Sequence, residues 1–246
     1  MKTSTELPSV VAARHPDPVV SSAEFLDQTL GQLARRIPGA TRVFDAHRFD
    51  FCCGGNQTLR TAATAAGVDA TPIIDELRAL ENRASADGRD WSEAGSAEIV
   101  QYILERYHAV HREQLPELIR LARKVEQVHA EREDCPHGLA DHLSVMAQEM
   151  ESHMRKEELV LFPMIERGHG AMAEAPINVM RMEHDDHGVA LRRLEELTDD
   201  ITPPRQACTT WRALYAGLRT FRQDLMEHIH TENNVLFERF APAAVH

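Results

Sequence analysis

The last three-fifths of the chain alternate apolar and polar residues with the period of amphipathic helices. Four such patterns predict helices near residues 97–131, 139–166, 176–200 and 205–239. The breaks between them, REDCPHG, GHGAMAEA and ITPPR, each contain proline, glycine or both. Four long helices with short connections predict an up-down-up-down four-helix bundle.

Shorter helical patterns precede this region. Ser21 or Ser22 is expected to cap a helix that runs to about Ile37. An alanine-rich helix is expected to end at Gly67, and Pro72 suits the first position of another helix. The sequence therefore predicts an all-α protein with a flexible tail (1–20), a small helical N-terminal domain (21–84), a linker (85–95) and a four-helix bundle (96–240).

Composition supports a helical protein and excludes several partners. Hydrophobic residues make up 43% of the chain and aromatic residues 5%, and good helix formers dominate. The formal net charge of −12, without a basic face, argues against nucleic-acid binding and against an anionic membrane surface. The sequence contains no run of about 18 apolar residues, which a transmembrane helix would need. The four cysteines do not have the spacing of a disulfide framework. We therefore expect a soluble, cytoplasmic protein.

Histidine or glutamate falls on the inward, apolar stripe of every predicted bundle helix. Polar groups on a core face are unfavourable unless they are paired or bind something. The stripe of the second helix shows the pattern: it comprises Leu143, Met146, Met150, His153, Glu157, Val160 and Met164.

These polar positions form an internal repeat. The segments HMRKEELVLFP and HIHTENNVLFE both place a glutamate four residues after a histidine, on one helix face. The first helix adds His108 and the third helix adds His184. Corresponding positions in the two halves of the bundle are 75 or 76 residues apart in the sequence. Two helical hairpins related by a pseudo-twofold axis would thus bring together His108, His153, Glu157, His184, His228 and Glu232. Four histidines and two carboxylates suit two metal ions bridged by Glu157 and Glu232, with iron or manganese favoured and zinc as a chemical alternative.

Several quoted segments together resemble the repair-of-iron-centres family of hemerythrin-like proteins, the ScdA/YtfE/NorA type. They are DFCCGGNQTL, RYHAVHREQLPELI, SHMRKEELVLFPMI, EHDDHG and HIHTENNVLF. The resemblance implies a cytoplasmic non-haem di-iron protein of the nitrosative and oxidative stress response, with the six ligands named above. It also implies two iron ions, oxo- or hydroxo-bridged when oxidised. Such proteins are linked to the restoration of damaged iron–sulfur clusters and to nitric oxide binding.

Other histidines and glutamates near the stripes have less defined roles. Oxygen-carrying hemerythrins use a fifth histidine, and His187, three residues after His184, is an alternative fifth ligand; a four-histidine site is favoured. His129 lies three heptads after His108 and would reach the site only if the helix broke. Glu149 and Glu183 are candidates to hydrogen-bond a ligand or to line an access path.

Cys52 and Cys53 are expected at a turn before a helix, where a thiol pKa can be lowered. They are candidates for redox chemistry or iron handling, although a buried packing pair is an equal alternative.

Three functions remain open at this point. The main hypothesis is a protein that repairs iron–sulfur clusters and binds nitric oxide or another small diatomic ligand, with damaged iron–sulfur proteins as partners. The alternatives are a dedicated nitric-oxide-sequestering protein of denitrification without repair activity, and reductive turnover of nitric oxide or peroxide. Repair or binding is favoured over enzymatic turnover, and a homodimer is left open.

Overall fold

The computed structural model describes residues 21–84, 94–169 and 172–240, and the regular structure in these ranges is helical. The predicted all-α fold class is confirmed. The expected tail and residues 85–93 of the expected linker lie outside the described residues. The N-terminal helices are α1 (Ser22–Asp27), α2 (Leu30–Arg36), α3 (Ala40–Ala46), α4 (Leu59–Ala66) and α5 (Ala70–Ala84).

Four long helical rods follow, and three of them contain a π-helical turn. The first is α6 (Ser96–Ile103), π1 (Leu104–His108) and α7 (Ala109–Val128); the second is α8 (Leu139–Lys156), π2 (Glu157–Leu161) and α9 (Phe162–Glu166). The third is α10 (Glu174–Leu197). The fourth is α11 (Thr209–His230), π3 (Thr231–Leu236) and a 3₁₀ turn (Phe237–Phe240). Helix α7 packs against α8 and α11, and α10 packs against α8, as in a four-helix bundle.

The N-terminal region differs from the single helix expected between Ser21 and Ile37. Ser21 caps α1 in a capping box, but the chain leaves the helix at Gln28 and starts again with a second capping box at Thr29. The break is stabilised from outside, because Leu59 donates its backbone N–H to the Gln28 carbonyl at 3.0 Å. Helix α3 was not predicted at all.

A polar layer separates two apolar clusters along the bundle. One cluster includes Leu115, Leu143 and Phe221 and continues into the N-terminal helices, whereas the other includes Ile99 and Phe162. Each rod carries its buried histidine or glutamate residues between the stretches that contribute to these two clusters. The apolar clusters therefore fix the helices on both sides of the polar layer.

The π2 turn changes which residues face the core after Glu157. The sequence pattern placed Val160 and Met164 on the inward stripe, but Val160 is 50% exposed and Leu161 and Ile165 are buried instead. A π turn inserts one extra residue into the helix, so the buried positions shift by one.

Asn234 of the fourth rod holds the N-terminal region against the bundle. It donates from its side-chain amide to the Phe51 carbonyl at 3.2 Å, and its backbone carbonyl accepts from Arg35 at 2.6 Å. Glycine is required beside it, since a Cβ atom on Gly55 would lie 2.5 Å from the Asn234 amide oxygen. Among the described residues, no helix is both long and apolar enough to span a membrane.

Candidate metal centre

Two overlapping groups of buried side chains meet in the polar layer of the bundle. In each group the potential ligand atoms all lie within 4.8 Å of one another. Glu157 and Glu232 belong to both groups, so they lie between the other ligands. The groups are His108, Glu157, His228 and Glu232, and His153, Glu157, His184 and Glu232.

The backbone at three of these ligand positions is π-helical. His108 ends π1, Glu157 begins π2, and Glu232 lies in π3, whereas His184 stands on the regular helix α10. Single π turns inside α-helices are frequent at functional sites because they re-aim side chains without ending the helix. Here they turn side chains from three rods towards one point.

The ligand atoms are close enough to share metal ions. The Nε2 atoms of His153 and His184 are 3.1 Å apart. Two nitrogens that bind one ion at about 2.1 Å from adjacent, right-angled positions would be separated by roughly 3.0 Å. Oxygens of Glu232 lie 3.0 Å from Nε2 of His184 and 3.0 Å from Nε2 of His228, so this carboxylate reaches both groups.

Buried polar atoms without hydrogen-bond partners support metal binding. Both carboxylate oxygens of Glu157 are unpartnered, although Nε2 atoms of His108 and His153 lie 3.4 Å from one of them without hydrogen-bonding alignment. Nε2 of His108 is unpartnered as well, and so is the oxygen of Glu232 that lies 3.0 Å from Nε2 of His184, since that pair also lacks hydrogen-bonding alignment. Unsatisfied groups of this kind are costly in a protein interior. The donor set of nitrogen and carboxylate oxygen therefore fits transition-metal ions.

The pKa values of the metal-free cluster also support metal binding. Burial and the adjacent Glu232 carboxylate raise the pKa of Glu157 to about 8. The pKa of Glu232 is lowered, because the effect of burial is outweighed by the adjacent His228, His108 and His184 imidazoles, of which His228 hydrogen-bonds to it at 3.0 Å. Burial opposes the protonation of His108, yet the two adjacent glutamates raise its pKa to about 10. Metal ions would replace these protons and leave neutral imidazoles and ionised carboxylates.

Three of the four histidines donate a hydrogen bond from the N–H of their second ring nitrogen to an outer partner. Nδ1 of His108 lies 2.8 Å from Glu158, and Nδ1 of His184 lies 2.9 Å from the Asn233 side-chain oxygen. Glu158 and Asn233 each directly follow a shared glutamate and are 75 residues apart, so they occupy equivalent places in the repeat. Such partners fix the orientation of a metal-binding imidazole. Sequence reasoning missed both, although the 75-residue offset marks them.

The third outer partner is Glu183, which sequence reasoning named as a candidate. Its carboxylate lies 2.9 Å from Nδ1 of His153 and also pairs with Lys156. Glu149 is exposed and does not contact the cluster, but it lines a surface cavity of about 710 Å³ together with Glu183 and His187. Glu183 and His187 of this lining both contact the candidate ligand His153.

Two further buried histidines flank the cluster outside the ligand groups. The His187 ring lies 5.0 Å from the His153 ring, and the His111 ring lies 5.3 Å from the His228 ring. Both have an unpartnered Nε2 atom, and they are 76 residues apart, so His111 is the repeat counterpart of His187. Burial lowers the pKa of His111 to about 2 and that of His187 to about 3, which keeps both neutral.

The structure does not bring His129 to the cluster. Helix α7 runs without a break through Pro116, and His129 lies at its far end, against Trp211 and 3.3 Å from the Cys208 sulfur. The intervening helix of 20 residues is about 30 Å long. The proline is tolerated inside the helix, so the break that would have redirected His129 does not occur.

Cys52 and Cys53 lie in a loop that packs behind His184, not at a helix N-terminus, since α4 begins only at Leu59. Their sulfurs are 3.8 Å apart. Contrary to the sequence expectation, the pKa of Cys52 is raised, by its hydrogen bond to Cys53, by burial and by the charge of Asp50. Cys53 donates to the His184 carbonyl at 3.4 Å. All four cysteines of the chain are free.

Comparison with known sequences agrees with this geometry. The model of the hemerythrin HHE cation binding domain matches residues 100–240, and that of ScdA_N, a domain of unknown function, matches residues 26–81. The iron-sulfur cluster repair protein YtfE of Pectobacterium atrosepticum is 54% identical over 218 residues, covering 87% of this chain and 97% of that protein. Its namesake from Dickeya chrysanthemi is 50% identical over 215 residues, with the same coverage. These matches confirm the resemblance carried by the sequence motifs.

Proposed function

The chain belongs to the hemerythrin HHE family, and from this membership and the geometry of its site we propose that it is a non-haem di-iron protein that repairs damaged iron–sulfur clusters. The observation that carries the proposal is the pair of ligand groups that share Glu157 and Glu232. One iron would be held by His108 and His228, the other by His153 and His184, and both glutamates would bridge them.

The chain's own residues have defined tasks in this proposal. Glu158, Glu183 and Asn233 orient three of the imidazoles. The apolar clusters on both sides keep bulk water from the bundle interior. Iron would supply the metal needed to rebuild a cluster and a binding place for nitric oxide. Four histidines and two carboxylates leave room on each ion for such a small ligand, so nitric oxide binding is part of the proposal.

Relatives named as iron–sulfur cluster repair proteins favour repair over sequestration alone. The four cysteines are free, as is usual for cytoplasmic proteins, and we place this function in the cytoplasm.

The test is anaerobic iron loading followed by addition to an enzyme whose cluster has been damaged by nitric oxide. Wild-type protein is expected to hold two irons per chain and to restore enzyme activity. Glu232→Ala should lose iron and repair together, while the exposed Glu149→Gln should keep both. Equal repair by iron-free Glu232→Ala would contradict the proposal, and nitric oxide binding without repair would identify a sequestering protein instead.

A further inference from the structure

A second cluster of potential metal ligands lies outside the di-metal centre, in the loop between α3 and α4. It consists of Asp50, Cys52 and Cys53, whose ligand atoms lie within 4.8 Å of one another. The sequence motif itself contains only the two thiols, which do not make a stable metal site on their own. The structure adds a carboxylate as the third donor.

The separations within this cluster match those around a single tetrahedral ion. The two sulfurs are 3.8 Å apart, and the Cys52 sulfur lies 3.4 Å from an oxygen of Asp50. An ion with metal–sulfur bonds of about 2.3 Å and a metal–oxygen bond of about 2.1 Å would separate these atoms by roughly 3.8 and 3.6 Å. The Cys52 sulfur is therefore already placed, relative to the other two donors, as such an ion would require, and the third pair lies within 4.8 Å.

The loop backbone holds the carboxylate in position. Oδ1 of Asp50 accepts from the backbone N–H groups of Cys53 at 3.0 Å and of Gly54 at 3.1 Å. A Cβ atom on Gly54 would lie 2.7 Å from the Asp50 carbonyl oxygen, so the loop needs glycine at this place. The donors are thus organised before any ion arrives, which lowers the ordering cost of binding.

The cluster opens into a solvent-connected cavity of about 320 Å³ between the loop and helices α10 and α11. Its charged lining consists of four carboxylates and three guanidinium groups, so it carries no positive excess that would repel a cation. These are Asp45, Asp50, Glu195 and Asp200, and Arg48, Arg192 and Arg222. All three donors belong to this lining, so a ligand that enters the cavity could reach an ion bound between them.

Two contacts connect the cluster to the di-metal centre. The Cys53 thiol lies against the His184 carbonyl at 3.4 Å. The Asn233 side chain accepts from His184 Nδ1 and donates to the Cys52 carbonyl at 3.0 Å. The thiols therefore lie directly behind one ligand of the proposed di-iron site, on the side that opens to solvent.

We propose that Asp50, Cys52 and Cys53 form a second, weaker metal site that takes ferrous iron in transit between the di-metal centre and an acceptor in the cavity. Mixed thiolate and carboxylate donors suit divalent iron. Binding forms two iron–sulfur bonds and one iron–oxygen bond; each thiol gives its proton to solvent, and no electron is transferred. This inference rests on the proposed function, because the iron comes from the di-metal centre.

The site is tested by adding Co²⁺ anaerobically to full-length protein whose di-metal centre is already filled with iron. One additional equivalent is expected, with the intense near-ultraviolet absorption of a cobalt–thiolate bond. Cys53→Ser and Asp50→Asn should each weaken this binding about tenfold or more. Cys208→Ser is the matched control, since that exposed thiol lies beside His129 and away from the cluster; it should leave the band unchanged. Wild-type protein without a cobalt–thiolate band, or a band that survives Cys53→Ser, overturns the proposal.

A transfer experiment tests the direction of iron movement. Iron-loaded wild type and Cys53→Ser are mixed with a ferrous chelator, and the rate of iron loss is followed. The variant should begin with the same two irons per chain. Its rate of iron release should be lower than that of the wild type by a factor of about ten or more. Equal rates overturn the transit role. If the wild type fails to hold two irons at all, the proposed function fails instead, so the two failures are distinguishable.

Discussion

In the metal-free protein, the buried carboxyl group of Glu157 should oppose folding, and replacing it with methionine should stabilise that form. The side chain is completely buried and both of its oxygens lack hydrogen-bond partners. Methionine has a similar length and no group that needs a partner. The same substitution removes a shared ligand, so it should weaken the iron-loaded form. A substitution that stabilises the metal-free protein but destabilises the iron-loaded protein identifies a residue that serves metal binding and not stability.

The magnitude follows from the pKa of Glu157, which burial and Glu232 raise from 4.5 to about 8. Between these values the folded protein keeps a proton that the unfolded chain has released, so stability falls as pH rises through this window. At pH 7 the difference from 4.5 is 2.5 units, which corresponds to roughly 3 kcal/mol at about 1.36 kcal/mol per unit. For a chain of this length the melting temperature should rise by roughly 6–12 °C.

The assay is thermal unfolding of chelator-treated protein, followed by circular dichroism at pH 7 and pH 5, with residual metal measured in each sample. Glu157→Met should gain roughly 3 kcal/mol at pH 7 and less than about 1 kcal/mol at pH 5, because pH 5 lies only about half a unit above the unfolded pKa. After iron loading, the variant should contain less iron than the wild type and should have a lower melting temperature.

Glu158→Met is the matched control at the next position. That carboxylate is only half-buried, and its hydrogen bonds to Arg112 and His108 lower its pKa despite some burial. Its loss should therefore destabilise the metal-free protein. If Glu157→Met lowers the melting temperature of the metal-free form at pH 7, or raises it equally at pH 5, the reasoning about the buried carboxyl group is wrong.

Three further predictions concern the surroundings of the site. Asn233→Ala should weaken iron binding by about 10–100-fold in a chelator competition, because it removes the outer partner of one imidazole. Gly55→Ala should cost about 1–3 kcal/mol in urea unfolding, since its Cβ would lie 2.8 Å from a backbone oxygen, whereas Gly95→Ala has open space and should cost less than that. Burial and the nearby Arg35 lower the pKa of His230 from 6.5 to about 4, so wild-type stability should fall by roughly 3 kcal/mol as pH drops through this window. His230→Asn should lose that part of the pH dependence, and unchanged slopes would contradict the assignment.

Helical periodicity and the internal repeat were sufficient to predict the six residues that the fold brings together. Ligand spacing on a helix is a local property, and residues four apart share a face whatever surrounds them. The repeat then supplied the long-range information, since equivalent positions in two hairpins meet at a pseudo-twofold axis. The same reasoning fails where local structure depends on packing. The helical period predicts Val160 inside because nothing in the sequence pattern marks the π2 turn, which begins at the buried Glu157.

The positions of His129 and Asp50 were equally hard to predict. His129 lies on the same stripe as His108, and only the uninterrupted helix through Pro116 separates them in space. Asp50 lies four residues after the end of α3 and belongs to no periodic pattern. Its place beside the two cysteines is set by the irregular loop turn in which its carboxylate accepts from the Cys53 backbone N–H. Neither the absence of a helix break nor an irregular turn can be derived from helical spacing alone.

The departure of the repeat from exact symmetry has a structural reason at Glu158 and Asn233. Both orient an imidazole through a side-chain oxygen, but Glu158 also binds Arg112 at the protein surface, where a charge is solvated. Asn233 is buried and must satisfy a second group, because its amide nitrogen donates to the Cys52 carbonyl. A carboxylate could accept from the histidine but could not donate to that carbonyl. The amide at this position therefore does two things that a glutamate cannot: it avoids a buried charge, and it ties the cysteine loop to the ligand that the loop covers.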